Sequence, residues 1–327
     1  MEKTNVERLF EEIDNLTETI QQSKNETYLD SLNIALEAIF YQEPSEDMDE
    51  SLMKKLPAIP EIASYDVVEI RKAVQLAILK GMKGATQQQH LMTPETVAMF
   101  VGYLAEKVTT DEENLRVFDP AGGTGNLLTT VLEQVDHLKH AAAGEVDPTL
   151  IKLAVLNANL QKKEIEFFHQ DSLRPFLMDP VDLVITDLPV GYYPDDIRAN
   201  DYKLKADEGH SYAHHLFIEQ SLNYTKAGGY LIFIIPEFLF DSDQSDKLHA
   251  YLQENAHIVS VLQLPESAFK SEKNRKSILI LKKKGPNTTA FKQPLLAQIP
   301  SFKNTDAMND ILAQMNDWFS ANMNKYM

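Results

Sequence analysis

The stretch Leu115-Arg116-Val117-Phe118-Asp119-Pro120-Ala121-Gly122-Gly123-Thr124-Gly125-Asn126-Leu127-Leu128 limits what this chain can fold into more than any other. A short β-type run ends at an acid. Gly122, Gly123 and Gly125 follow almost at once, and an apolar run through Val131 and Leu132 then takes up helical spacing. A turn this rich in glycine lets main-chain N–H groups approach a ligand closely at the start of a helix. A nicotinamide-type dinucleotide fingerprint needs a further glycine three residues after Gly125. That position is Leu128, so a dinucleotide is disfavoured.

The pattern on either side of this turn fixes the fold class. β-type runs near Leu115–Asp119, Ala141–Glu145, Ile165–His169, Leu183–Asp187, Gly229–Ile235, Ile258–Leu264 and Ser277–Lys283 alternate with helical segments, which predicts an α/β sheet. The last two runs sit close together with no strong helical pattern between them, which suits an antiparallel pair. The expectation is a Rossmann-like, seven-stranded mixed sheet flanked by helices. Residues 1 to about 85 read differently. Val6, Leu9, Phe10, Ile13, Leu16 and Ile20 recur at three- and four-residue spacing, and Leu29, Leu32, Ile34, Leu36, Ala38, Ile39 and Phe40 form a second apolar set. A further helix is predicted over roughly Val67 to Leu79. The domains expected are a helical N-terminal domain over 1–87, the α/β domain over 88–285, and a tail over 286–327 that is partly helical near Met308 to Phe319. The N-terminal helices read as a cap or a dimerisation element, with target recognition as the alternative.

Charge and composition narrow the partners. The net charge is −18, and residues 1–90, 91–285 and 286–327 carry 9, 19 and 3 basic side chains against 17, 29 and 3 acidic ones. A nucleic-acid binder usually shows a basic footprint, so weak, nonspecific DNA affinity is expected of the isolated chain. The absence of cysteine excludes disulfides and thiolate metal sites. The N-terminus lacks the apolar core of a signal peptide, and the most apolar run, Tyr230 to Phe240, is broken by Pro236 and Glu237 and too short to cross a bilayer. A cytoplasmic protein with no membrane partner is expected.

Three further stretches follow the glycine turn in chain order: Gly144-Glu145-Val146-Asp147-Pro148, His169-Gln170-Asp171-Ser172-Leu173, and Thr186-Asp187-Leu188-Pro189-Val190-Gly191-Tyr192-Tyr193. Each places an acid at a strand end, the edge where open α/β sheets collect ligands. Upstream, Gln89-His90-Leu91-Met92-Thr93-Pro94-Glu95 opens a helix, with Thr93 suited to the N-cap and Pro94 to the first helical position. Together these motifs, over about residues 88–285, resemble the adenine-N6 DNA methyltransferases, especially the modification subunits of type I restriction systems. So do His215-Leu216-Phe217-Ile218-Glu219-Gln220-Ser221-Leu222, the Lys226-Ala227-Gly228-Gly229-Tyr230 turn and the two late strands. The resemblance implies S-adenosyl-L-methionine as cofactor. It implies Asp119 near the cofactor amino group and Gly122, Gly123 and Gly125 around the methionine portion, with Ala121, Asn126 and Leu127 beside them. Glu145, next to Val146, would accept the ribose hydroxyls, and Asp171, next to Ser172, the adenine amino group. Thr93 would touch the carboxylate. Without the resemblance, Glu145 reads as an exposed loop acid and Asp171 as a capping residue.

The same resemblance makes Asp187-Leu188-Pro189-Val190 the catalytic motif, whose family form is Asn or Asp, Pro, Pro, then Phe, Tyr or Trp. This chain keeps the first and third positions and departs at the second and fourth. An exocyclic amine is a poor nucleophile because its lone pair is delocalised into the ring. The acid and a main-chain carbonyl orient it by accepting its two N–H groups. Leu188 still offers that carbonyl. The aromatic at the fourth position stacks on a flipped-out base, which Val190 cannot do; Tyr192, Tyr193 and Phe238 are the candidates to replace it. No metal and no covalent intermediate are needed. Two other readings stay open: a degenerate protein that binds the cofactor and regulates, and a methyltransferase acting on RNA or a protein side-chain amide. Only about 40 residues follow the fold, too few for a target-recognition domain. A separate specificity subunit, or no sequence-specific DNA target, accounts for that equally well. His210, His214 and His215 lack convincing metal spacing. The basic runs Lys270–Lys276 and Lys282–Lys284 read as solvated strand ends or as phosphate contacts.

Overall fold

A computed structural model of the chain describes residues 3–83, 92–109, 113–269 and 275–323. The expected domain boundary at 87/88, the Gln89-His90-Leu91 segment and most of the Lys270–Lys276 run lie outside these residues. The helices are α1 Asn5–Lys24, α2 Tyr28–Tyr41, α3 Glu50–Met53, α4 Val67–Lys83, α5 Glu95–Thr109, α6 Asn126–Gln134, α7 Pro148–Leu160, α8 Asp196–Ala199, α9 Ala213–Tyr224, α10 Ser245–Asn255 and α11 Thr305–Asn322. The strands are β1 Leu115–Asp119, β2 Leu138–Glu145, β3 Ile165–His169, β4 Val181–Asp187, β5 Thr225–Pro236, β6 Ala256–Gln263, β7 Lys276–Lys283 and β8 Leu295–Gln298. No described helix is long and apolar enough to cross a membrane.

The sheet has eight strands, not the expected seven, in the order β3-β2-β1-β4-β5-β7-β6-β8. The extra strand is β8, which pairs parallel with β6 from Ser260↔Leu295 to Gln263↔Gln298. It escapes a periodicity reading because it has four residues, half of them exposed, between Pro294 and Pro300. It also means that the tail after residue 285 contributes a strand to the sheet as well as the helix α11. The expected antiparallel pair is present: β7 runs antiparallel to both β5 and β6. β7 is buried along almost its whole length and β5 from Tyr230 to Pro236, hence their continuous apolar runs.

The chain divides into two compact units. One comprises Met1–Met92, Gly122–Thr129 and Glu145–His169. In it α1 begins at a capping box: Thr4 Oγ1 accepts the Glu7 amide at 3.2 Å, and the Glu7 carboxylate accepts the Thr4 amide at 2.8 Å. The predicted stripe of α1 is real: Leu9, Ile13, Leu16 and Ile20 are fully buried. α2 buries Leu32, Ile34, Ala35, Leu36, Ala38 and Ile39, apolar around most of its girth, as a central helix should be. These faces and that of α4 close over Leu150, Leu153, Leu156 and Leu160 of α7 in one apolar cluster. Asn33 Nδ2 donates to the Thr149 carbonyl at 3.1 Å and Thr149 Oγ1 to Asp30 at 2.7 Å, fixing the register of α2 on α7. The N-terminal helices thus use their apolar stripes within the chain.

The other unit comprises Thr93–Ala121, Thr130–Gly144 and Gln170–Met327. Its core centres on Phe118 and Phe233, both fully buried. Phe118 makes edge contacts with Phe176 and Tyr224 at centroid separations of 5.3 and 5.5 Å. Trp318 of α11 packs against Phe291 and Phe319, so it anchors the tail as its side chain suggests.

Candidate functional site

In the first unit the glycine turn is built by the main chain. Gly123 and Gly125 hold left-handed φ angles of 53° and 75°, open to glycine at little cost. A Cβ on Gly123 would meet nothing within 4 Å, so the turn borders open space, whereas one on Gly125 would press on Ala154 at 3.3 Å. Glu145, the expected ribose ligand, clamps this turn. Its Oε2 accepts the Gly123 amide at 2.9 Å, and its Oε1 accepts the Val146 and Asp147 amides at 2.9 Å each. A carboxylate oxygen has two lone pairs, so Oε2 keeps capacity for another donor. Asn126 is buried at the start of α6, and its side-chain oxygen accepts a hydrogen bond from Gln75 of α4. Asn157 of α7 donates to the Thr124 carbonyl at 3.1 Å. Leu127 is buried and Val146 is exposed.

In the second unit Asp119 is buried at the end of β1, where its carboxylate accepts the Ala121 amide at 3.0 Å. Asp171 accepts the Leu173 amide at 2.9 Å on one oxygen and the Tyr193 hydroxyl on the other. Burial first, and the Asp171 carboxylate second, push the Tyr193 phenol well above its ordinary pKa. Of the three aromatics considered for base stacking, Tyr193 is the buried one. Ser172 is buried with no partner for its Oγ among the described residues, and a Cβ at Gly144 would strike that oxygen. A glycine is therefore needed on β2 beside this polar group.

Asp187 ends β4, and its position is set by register. It pairs with Ile234 of β5, and the Leu188 amide donates to the Ile234 carbonyl at 3.1 Å. One carboxylate oxygen accepts Thr93 Oγ1 at 2.9 Å, and the other pairs with the Lys276 ammonium. Thr93, expected at the cofactor carboxylate, thus has its hydroxyl on Asp187. Lys276 was legible in the sequence only as part of a basic run. The signal that could have found it is the antiparallel pairing: β7 starts where the parallel strands end, with Lys276 opposite Pro236. Lys282–Lys284, at the far end of β7, are held by the protein and are not a freely solvated strand end. Lys282 is buried over the Tyr230 ring at 5.1 Å, Lys283 donates to the Thr225 carbonyl at 2.7 Å, and Lys284 to that of Gln253 at 2.6 Å.

After Asp187 the chain carries Leu188, buried, and Pro189, then the exposed Val190 and the half-buried Gly191. The loop is pinned by Tyr193 N–H to the Ser211 carbonyl at 2.8 Å and Ala213 N–H to the Gly191 carbonyl at 2.9 Å. This fixes Tyr192, 60% exposed, flat against Tyr212 with ring centroids 4.9 Å apart and planes at 13°. Tyr212 stacks in turn on His214 at 5.0 Å and donates its hydroxyl to Asp243 at 3.0 Å. The missing aromatic at position 190 is thus matched by a stack of rings two residues on, with Phe238 exposed beyond His214. His210 faces Asp196 at 2.9 Å.

A mixed sheet in this strand order, with a glycine turn after β1 and acids at the ends of β1, β2 and β4, defines a class I S-adenosylmethionine-dependent methyltransferase. The chain belongs to the N-6 DNA methylase family, which it matches over residues 81–322, and its residues 7–82 match the YtxK N-terminal helical domain. It is 47% identical over 325 residues to an uncharacterized protein, YtxK, of Bacillus subtilis (strain 168), covering 98% of this chain and 99% of that one. A Listeria monocytogenes protein assigned to the class I S-adenosylmethionine-dependent methyltransferases has a solved structure that superposes with a TM-score of 0.90 at 42% identity, covering 96% and 99% of the two chains. A chain from Vibrio vulnificus YJ016, assigned as the modification subunit of a type I restriction enzyme, shares the fold at a TM-score of 0.65 and 17% identity, over 86% of this chain and 65% of that one.

Proposed function

We propose that this protein binds S-adenosyl-L-methionine and transfers its methyl group to an exocyclic amine, adenine N6 in DNA. The observation that carries this reading is Asp187. It ends a central parallel strand, its carboxylate is held on both oxygens, and a rigid loop carrying exposed rings follows it. The residues present suit the cofactor. The open side of the Gly123 turn and the spare lone pair on Glu145 are polar features with room for a ligand. Gly122, Gly123 and Gly125 would hold the methionine portion, Glu145 the ribose and Asp171 the adenine amine. When bound, the cofactor supplies an electrophilic methyl group. Asp187 and the Leu188 carbonyl would orient the acceptor amine, and Tyr192 with Tyr212 would stack on its base. The acidic charge fits two arrangements equally, a separate specificity subunit that supplies contacts to duplex DNA and a chain that acts alone on a target without sequence specificity.

Calorimetry tests the cofactor half: wild type binds S-adenosylmethionine, and Glu145→Ala weakens binding by about 1.5–3 kcal/mol. No binding at millimolar cofactor overturns it. For the chemistry, Asp187→Ala leaves cofactor affinity nearly intact and lowers transfer to DNA on the order of a hundredfold or more. A second reading, a regulatory protein that binds the cofactor without turnover, is favoured by Val190 at the stacking position. It predicts cofactor binding with no methyl transfer by wild type to DNA or RNA.

A further inference from the structure

Lys276 stands outside every motif that brought the family to light, yet its ammonium meets the acid at the centre of the proposed chemistry. Ile234 of β5 pairs with Asp187 on one side and with Ile278 of β7 on the other, so β7 begins across β5 from the end of β4. Lys276 is 22% exposed and Asp187 15%. Among the described residues Asp187 is the partner Lys276 has, which leaves two of its three ammonium N–H donors without one. Thr93 holds the other carboxylate oxygen, so the plane of the acid is fixed from both sides.

We propose that Lys276 is a specificity-determining residue. With the Asp187 carboxylate it presents a donor beside an acceptor, and it selects an exocyclic amine flanked by a ring nitrogen with a free lone pair. The proposal rests on the adenine reading above. In adenine the N6 amine donates and the adjacent N1 accepts, so one edge of the base meets both halves of the pair. Guanine presents a carbonyl oxygen where adenine carries the amine, which would face the carboxylate acceptor to acceptor, and its own amine N2 has a free lone pair beside it only at N3, on the edge crowded by the sugar. An alkyl amine has no neighbouring lone pair and leaves the lysine N–H unmatched in a half-buried setting. Cytosine shares the amine-and-lone-pair edge, so the pair selects this edge and not ring size.

The test uses the full chain, labelled S-adenosylmethionine and single-stranded oligonucleotides with one adenine, or with 1-deazaadenine in its place. The analogue carries C–H where adenine has N1 and keeps the amine. Losing a ring nitrogen leaves the amine richer in electrons, so the intrinsic chemistry does not favour adenine. Wild type is expected to methylate adenine at least tenfold faster than the analogue. Lys276→Met brings the ratio close to one while S-adenosylhomocysteine binding, measured by calorimetry, stays unchanged, and Lys276→Arg restores most of the discrimination. Equal rates on both oligonucleotides by wild type, or an undiminished ratio in Lys276→Met, overturn the role of Lys276 and leave the adenine reading standing. No transfer to the adenine oligonucleotide by a wild type that binds cofactor overturns the adenine reading, and the lysine's role with it.

Discussion

His214 and His215 are the most unusual residues of the molecule for their chemistry. Both imidazoles are fully buried at the start of α9, and neither nitrogen of His214 has a hydrogen-bond partner among the described residues. Burial above all, with the His215 ring beside it, lowers His214 to about 3, and burial lowers His215 to about 4. In the unfolded chain both titrate near the ordinary 6.5, so below that pH the unfolded state binds more protons and folding stability falls with pH. Each histidine should contribute a slope of about 1.4 kcal/mol per pH unit between 6.5 and its folded value. Urea unfolding from pH 7.5 to 5 should show this loss, and His214→Phe should flatten it; a slope that His214→Phe leaves unaltered would refute the account. At this scale the sequence gives the acids well and their neighbours poorly. Asp119, Glu145 and Asp187 stand at strand ends and Asp171 two residues past one, but only the family resemblance singles out Glu145 and Asp171 as more than a loop acid and a cap. Lys276, Gln75 and the Tyr192–Tyr212 stack depend on which distant segments meet, and no local pattern encodes that.

Among the elements, the glycine turn joins sequence to chemistry most directly, and its three glycines are not equivalent. Gly125→Ala places a side chain at φ 75° and against Ala154. It should destabilise the fold by about 1–2 kcal/mol of left-handed strain, with an added steric contribution. Gly123→Ala meets the strain alone, since its Cβ points to open space, so it should unfold at higher urea than Gly125→Ala. Gly123→Ala is also expected to impair S-adenosylmethionine binding, measured by calorimetry, while remaining the more stable of the two. The reverse order of stability would mean that Ala154 yields easily. Strands with long apolar runs, such as β5 and β7, are legible to within a few residues. β8 is not, because four half-exposed residues carry too little hydrophobic signal and acquire strand geometry only from pairing with β6.

For the whole molecule, the N-terminal helices are part of a core. Removing residues 1–83 would bare Leu150, Leu153, Leu156 and Leu160 on one face of α7. Each buried leucine contributes about 1.5–3 kcal/mol through its removal from water. The truncated chain should therefore aggregate or bind a hydrophobic dye, whereas a monodisperse product of native-like melting temperature would show that the helices are an appendage. Their helical character and apolar faces can be read from spacing. That those faces close over α7 cannot, because periodicity shows that a stripe must be covered and does not say by what.

The hydrogen bond between Gln75 and Asn126 has a consequence for descent. A gene that shed the segment encoding α1 to α4 would remove the Gln75 donor from Asn126 and the cover from α7 in the same event. The two stretches are expected to be inherited together, with exchange between lineages tolerated only where donor and recipient are close enough for glutamine, asparagine and the leucine face to match.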